Sequence, residues 1–286
     1  MHSIERSPSA RSTSILAACA GMVLFIVCLG WHWHGRSVVP SSAPPEQCAH
    51  VTRSVWEHGS ISPDAFQEWH ETFMRWSIEK NTTVVQDVFS QGVNGELYPK
   101  HSLLFSLAMV PFYAVFGDLG FQIFGQLLFL AIVVSFYRIV SRYTERDLKT
   151  LTFLSLFFGT EIVWHLGSFN YDIFAAALIV CGLDIAHRFP ALGSFLMSLS
   201  ILARASNVLM LPPLMLAVLL KSRKKRFLPV LFGSLGAIGL FCFLNYLLFG
   251  GPFVTSYHRI LLFHAGEISF EAHAIGFDWG TFTEAW

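Results

Sequence analysis

The sequence predicts an all-α protein that crosses a membrane several times. Hydrophobic residues make up 53% of the 286 residues, charged residues make up only 13%, and the mean hydropathy is +0.53. Soluble domains carry about 25% charged residues. Long apolar stretches recur along most of the chain, and helices are the simplest structures that satisfy backbone polar groups inside a bilayer. The formal net charge of zero gives no indication of a nucleic-acid partner.

The first predicted element is a transmembrane helix over residues 14–33. Arg6 and Arg11 precede its apolar stretch, which ends in the aromatic sequence WHWHG. A signal peptide has a shorter apolar core and a small-residue cleavage site. The stretch therefore predicts a retained anchor whose N terminus lies in the cytoplasm.

The segment 34–118 is predicted to be a loop outside the cytoplasm with helices at the membrane surface. Within PDAFQEWHETFMRWSIEK, apolar residues recur at spacings of three and four, namely Phe66, Trp69, Phe73 and Trp76. This spacing is typical of an amphipathic helix, and its tryptophans suit the bilayer interface. The apolar run 101–116 is shorter than a membrane span and is also predicted to lie on the outer surface.

The remaining apolar runs between 119 and 249 are predicted to span the membrane, which gives about seven spans with the anchor. They are 119–140, 148–166, 170–186, 190–203, 206–220 and 227–249. If 101–116 also crossed, the basic loops SRYTERDLK and KSRKKR would lie outside. If it stays at the surface, both loops lie in the cytoplasm, as short basic loops usually do. We therefore predict one membrane domain over 1–286, in which 250–286 is an outer segment, either a natural end or a truncated one.

The same topology places ionisable residues at the outer membrane boundary. Lys100 precedes the surface run, Asp172 begins a helix, and Arg204 lies between two apolar runs. Ionisable residues beside membrane segments are functional hypotheses, and cations bind phosphate at the interface. The structural alternatives are that Lys100 and Arg204 extend to lipid head groups and that Asp172 complements a helix dipole.

The twelve histidines and five cysteines predict neither a metal site nor a disulfide framework. None of them shows a structural zinc spacing, and no cysteine pair supports one. We therefore expect no metal and no cofactor.

Five segments of the chain carry a resemblance to a known family. They are TRSVWEHGSIS (52–62), GELYPKHSLLFSLAMVPFYAVFG (95–117), FGTEIVWHLGSFNYDIFAAAL (158–178), SLSILARASNVLMLPP (198–213) and NYLLFGGPFVTSY (245–257). In order and spacing they resemble the GT-C membrane glycosyltransferases. The most similar branch is that of the protein O-mannosyltransferases and aminoarabinose transferases (glycosyltransferase family 39-like).

The resemblance implies a GT-C-like module of about seven transmembrane helices with an outer loop that carries interfacial helices. It implies inverting transfer of a sugar from a polyprenyl-phosphate donor to a glycan, lipid or protein acceptor on the periplasmic or lumenal side. By position, Tyr98, Lys100 and Arg204 would bind the lipid phosphate, and Glu46 and Asp172 would be the catalytic carboxylates. The short loops favour the bacterial inner membrane, with the site on its outer face.

One departure from the family keeps other functions open. Family members carry an acidic pair upstream of the segment that matches TRS, where this chain has Pro44 and Pro45, and Glu46 is the nearest acid. A non-catalytic relative that binds lipid is one alternative. A transporter or flippase of a lipid-linked substrate is another, and it predicts charges deep inside several helices. Here nearly all charges lie near helix ends, with Asp184 as the exception.

Overall fold

A computed structural model of the chain describes residues 43–81, 83–100, 103–143, 155, 170–220, 227–264 and 267–271, and it is mostly helical. The predicted anchor 14–33, nearly all of the run 148–166 and the basic loop 221–226 lie outside the described residues.

The described helices follow the predicted runs closely. They are α1 (Ala43–His58), α2 (Asp64–Lys80), α3 (Leu103–Phe116), α4 (Leu119–Tyr143), α5 (Tyr171–Ala186), α6 (Pro190–Ala203), α7 (Leu211–Leu220) and α8 (Phe227–Phe249). Proline at the first position of α6 lacks an N–H that the helix would leave unpaired, so the helix begins there. The amphipathic pattern of residues 64–80 is confirmed as α2.

The prediction of a mainly helical chain is confirmed, but the described residues are not all-α, because four strands form an antiparallel sheet. The strands are β1 (Thr83–Gln91), β2 (Leu97–Pro99), β3 (Ile260–His264) and β4 (Glu267–Glu271), in the order β2-β1-β3-β4. Val84 of β1 is paired with Phe263 of β3, and Phe89 of β1 with Pro99 of β2. The central pair, β1 with β3, joins the predicted outer loop to the segment after α8. Neither segment contains a sequence pattern that predicts this pairing.

The apolar face of α2 packs on this sheet, where the sequence suggested contact with the bilayer. Phe66 is fully buried, and Trp69 and Phe73 pack with it against Phe89 and Phe263 of the sheet. Trp76 alone of the four predicted apolar positions is exposed, at 46%. The sheet offers α2 the apolar cover that an interfacial helix would take from lipid.

Two of the described helices are long and apolar enough to cross a membrane, namely α4 and α8. The helices α5 and α6 have 16 and 14 residues, fewer than the roughly 20 of an untilted span. The predicted run 206–220 is not one helix. It divides into a 3₁₀ helix, Ala205–Met210, and α7, whose first turn carries Pro212 and Pro213.

A buried carboxylate joins α4 to α5. The side chain of Asp184 is 2% exposed, and its two oxygens lie 2.6 Å from Arg142 Nη2 and 3.3 Å from Arg138 Nη1. Arg142 also donates to the backbone carbonyl of Asp184 at 3.3 Å. Asp184, which the sequence singled out as a charge away from the helix ends, is therefore paired with two arginines near the C-terminal end of α4.

Candidate functional site

A cleft opens where the sheet meets the ends of α6 and α8. It encloses about 660 Å³ of empty space, part of which is open to solvent. One wall is apolar and is formed mainly by Leu103, Leu104, Ile201, Phe241, Leu244 and Leu248. The other side carries polar groups from the segments that flank β2 and β3, including Lys100 and Tyr257.

Lys100 is the one charged residue among those that line the cleft in the described part of the chain. It follows β2 directly and is 8% exposed. Its Nζ lies 5.0 Å from the centroid of the Tyr257 ring, within the distance of a cation–π contact. Its backbone carbonyl accepts a hydrogen bond from Ser256 Oγ at 2.7 Å. The cleft therefore presents one positive charge close to an apolar wall.

Arg204 and Asp172, which the sequence placed separately at the outer boundary, form an ion pair. Arg204 Nη1 lies 2.5 Å from Asp172 Oδ1, and the two side chains are 50% and 31% exposed. Arg204 has extended backbone between α6 and the 3₁₀ helix that follows it. Asp172 lies in the first turn of α5, where the Asn170 side chain accepts from its N–H at 3.1 Å. Asn170 therefore caps the N-terminal end of α5.

Tyr98 lines the cleft through its ring and directs its hydroxyl into the hairpin between β1 and β2. The hydroxyl donates to Glu96 Oε2 at 2.9 Å and accepts from Asn94 Nδ2 at 2.7 Å. Burial raises the pKa of Tyr98, the hydrogen bond from Asn94 opposes that rise, and the Glu96 carboxylate adds to it. Gly92 makes this placement possible, since a Cβ there would lie 2.3 Å from the ring. The hydroxyl of Tyr98 is already engaged by two partners within the hairpin.

Glu46, the other predicted carboxylate, lies in α1 and not in a loop. Pro44 and Pro45 occupy the first turn of α1, where a missing N–H leaves no helical hydrogen bond unmade. The Glu46 side chain lies outside the described part of the structure, so its place relative to the cleft stays a prediction.

Tyr257 is the residue of this site that the sequence did not single out. Its ring contacts Lys100, and both Arg204 and Asp172 act electrostatically on its hydroxyl. It therefore lies between the predicted phosphate-binding lysine and the ion pair. The signal was present in GGPFVTSY, which carries a tyrosine just after the last predicted span.

No protein-family model, curated protein or solved structure matches the chain. The described residues also hold no group of three or more His, Cys, Asp or Glu side chains that could bind a metal ion. We therefore infer the chemistry of this cleft from the residues that line it. One buried cation, an adjacent ion pair and an apolar wall are suited to binding an amphipathic anion.

Proposed function

We propose that the chain is a membrane glycosyltransferase of GT-C-like architecture, which moves a sugar from a polyprenyl-phosphate donor to an acceptor on the outer face. The observation that carries the proposal is the cleft, in which Lys100 lies close to an apolar wall from α6 and α8. A polyprenyl phosphate is complementary to this cleft, because it carries a charged head group on a long hydrocarbon chain. The apolar wall would hold the chain, and the lysine would hold the head.

The charges of the cleft are compatible with a phosphate-linked donor. Lys100 contributes a positive charge to the cleft, and the nearby Arg204 and Asp172 form an ion pair with one another. A sugar linked through a single phosphate is a diester with one negative charge, which a lysine can bind by a charge-assisted hydrogen bond.

The proposed reaction uses these residues in distinct roles. The acceptor hydroxyl attacks the anomeric carbon as the bond from that carbon to the phosphate oxygen breaks, with inversion. Asp172 or Glu46 takes the hydroxyl proton. The bonding electrons leave with the polyprenyl phosphate, whose added charge Lys100 stabilises. For Asp172 to accept a proton, its carboxylate must exchange part of its contact with Arg204 for the acceptor.

The sheet supports the membrane topology behind this proposal. Because β1 pairs with β3, the segments before α3 and after α8 lie on the same side of any membrane. The six predicted runs between 119 and 249 give an even number of crossings, which meets this condition. Counting α3 as a seventh crossing would separate the strands. The 14 residues of α3 also make it short for a span.

A second function is favoured by one observation, the prolines in the first turn of α1. They stand where family members carry an acidic pair, and Asp172 is already paired with Arg204. A protein that binds the lipid phosphate without turning it over is therefore the alternative. The transporter alternative has less support, because Asp184, the acid inside a predicted helix, pairs with Arg138 and Arg142.

The first test is binding of undecaprenyl phosphate to the purified protein, measured by native mass spectrometry beside Lys100→Gln and Arg204→Ala. Loss of one charge-assisted contact predicts about tenfold weaker binding in Lys100→Gln. Lys80→Gln, which changes an exposed lysine of α2, is the matched control and should bind as wild type. Phosphate-free undecaprenol should bind equally to all four proteins.

The outcomes separate the two functions. Binding with transfer of sugar from the glycosylated lipid identifies the transferase, and binding without transfer identifies the lipid-binding protein. Equal retention of undecaprenyl phosphate by wild type and Lys100→Gln would contradict both.

A further inference from the structure

Tyr257 lies on a short turn that is fixed on both sides. The turn is a 3₁₀ helix, Ser256–Arg259, which leads directly into β3. Ser256 Oγ donates to the Lys100 carbonyl at 2.7 Å, and the Ser256 carbonyl accepts from Ser90 Oγ at 2.7 Å. Both distances are those of good hydrogen bonds. The turn that carries the Tyr257 ring is thus hydrogen-bonded, through the Ser256 side chain, to the backbone of Lys100.

The Tyr257 ring covers that ammonium. Its centroid lies 5.0 Å from Lys100 Nζ, and the lysine as a whole is 8% exposed. The face of an aromatic ring is electronegative and attracts a cation, most strongly where water is excluded. An anion that enters the cleft therefore meets a lysine whose charge is already in contact with a ring.

The phenol remains neutral while it covers the lysine. Burial raises the pKa of Tyr257, the Arg204 guanidinium opposes that rise and the Asp172 carboxylate adds to it. The contact with Lys100 is therefore one between a cation and a neutral ring, which a phosphate can replace because it offers the ammonium a full negative charge.

We propose that Tyr257 is a positioning residue that holds the Lys100 ammonium in place and sets how readily an anion reaches it. A ligand phosphate binds Lys100 by displacing the ring from the ammonium. The identity of this ligand as a lipid phosphate rests on the proposed function. The contact of the Tyr257 ring with Lys100 does not depend on the proposed function.

The test is the rate at which Lys100 undergoes reductive methylation, read peptide by peptide by mass spectrometry in the full-length protein without ligand. Removal of the ring in Tyr257→Ala should raise the Lys100 rate about tenfold, the factor expected for one desolvated cation–π contact. Tyr257→Leu, which retains apolar volume, should also raise it. Tyr257→Phe, which keeps the ring face, should leave it unchanged. Exposed Lys80 is the internal standard and should react equally in every variant.

Equal Lys100 rates in wild type, Tyr257→Ala and Tyr257→Leu would overturn the inference. A second set of measurements adds undecaprenyl phosphate, which should slow methylation of Lys100 in wild type. If the lipid gives no protection while Tyr257→Ala still speeds the reaction, the proposed function fails and the cover on Lys100 stands.

Discussion

At the scale of single residues, the ion pairs of Asp184 and of Asp172 differ in burial and therefore in their contribution to stability. Asp184 is almost fully buried and holds two arginines, whereas Asp172 and Arg204 are both partly exposed. An exposed ion pair contributes about 0–1 kcal/mol to stability, while a buried charge without its partner costs several. Asp184 therefore stabilises the contact between α4 and α5, whereas the pair of Asp172 and Arg204 contributes little to stability.

Removing either side of the Asp184–Arg142 ion pair should lower stability by different amounts. Arg142→Ala should lower the free energy of unfolding by about 3 kcal/mol, because it leaves the buried Asp184 with only the longer contact to Arg138. Asp184→Asn should cost less, since both arginines reach solvent in part. Chemical denaturation in detergent micelles measures both values.

The double variant Arg142→Ala with Asp184→Asn serves as the control for that comparison. It should be more stable than Arg142→Ala alone, because no buried charge is left without a partner. A double variant that loses the sum of the two single effects would refute the coupling.

His70 predicts that the unit formed by α2 and the four-stranded sheet loses stability as the pH falls. Burial lowers the pKa of His70, which packs edge-on against Phe263 at 5.1 Å, and nearby Glu71 partly opposes this. The unfolded chain therefore takes up the proton first. Stability is fully present above the unfolded pKa of about 6.5 and is lost as the pH falls from there through the lower folded pKa.

The measurement is the midpoint of thermal unfolding at several pH values for wild type and His70→Phe. The variant should show a smaller decline below about pH 6.5, because the position no longer titrates. Exposed His58→Gln is the matched control and should keep the wild-type slope. Identical slopes in wild type and His70→Phe would remove His70 as a source of the effect.

At the scale of elements, close helix contacts depend on glycine. A Cβ at Gly193 of α6 would lie 2.4 Å from the backbone nitrogen of Ala186 in α5. A Cβ at Gly233 of α8 would lie 2.1 Å from the Ala191 carbonyl oxygen. The neighbours in both cases are backbone atoms, which cannot rotate away. The two glycines thus set how closely α6 approaches α5 and α8.

Gly193→Ala should therefore destabilise the protein by about 1–3 kcal/mol, the usual cost of inserting a methyl group into a packed contact. Gly239→Ala in α8 is the matched control, because a Cβ there would meet nothing within 4 Å. It should be neutral or stabilising by up to about 1 kcal/mol, as helix propensity favours alanine. Thermal unfolding in the same detergent compares them, and equal effects would contradict the packing account.

Most of the helices were predictable from sequence because their signals are local, whereas the sheet was not because its strand pairing is not local. Pro63, Pro190 and the spacing of Phe66 and Phe73 are local signals that mark where helices begin and which face is buried. The pairing of Val84 with Phe263 is not local. The site shows the same division. Lys100, Asp172 and Arg204 were found as charges beside apolar runs, but the contact of Tyr257 with Lys100 depends on the sheet.

At the scale of the whole molecule, the sheet ties the segments before α3 and after α8 into one unit, which must lie on one side of any membrane. Exposed positions of that unit should therefore all react with a membrane-impermeant reagent applied from the same side. The turn between α5 and α6 should react only from the other side. Single cysteines at Gln67, Ser269 and Arg188, each exposed, can report this when the five native cysteines are replaced by alanine.

Gln67→Cys and Ser269→Cys should both react with a membrane-impermeant maleimide in intact cells, and Arg188→Cys only after permeabilisation. Each variant labelled after solubilisation controls for local reactivity. Reaction of Gln67→Cys without Ser269→Cys would contradict the shared side, and reaction of Arg188→Cys in intact cells would contradict the predicted topology.

The pairing of β1 with β3 also imposes an order on biosynthesis. Thr83 pairs with His264, about 180 residues later in the chain. At ordinary translation rates β1 waits roughly 10 to 40 seconds for this partner to be made. During that interval α2 and Phe89 are already synthesised, while Leu261 and Phe263, which complete their apolar cluster, are not. The nascent unit of α2 and β1 therefore exposes part of its apolar cluster until β3 has been made, and a variant that delays synthesis of β3 should be degraded through this unfinished unit.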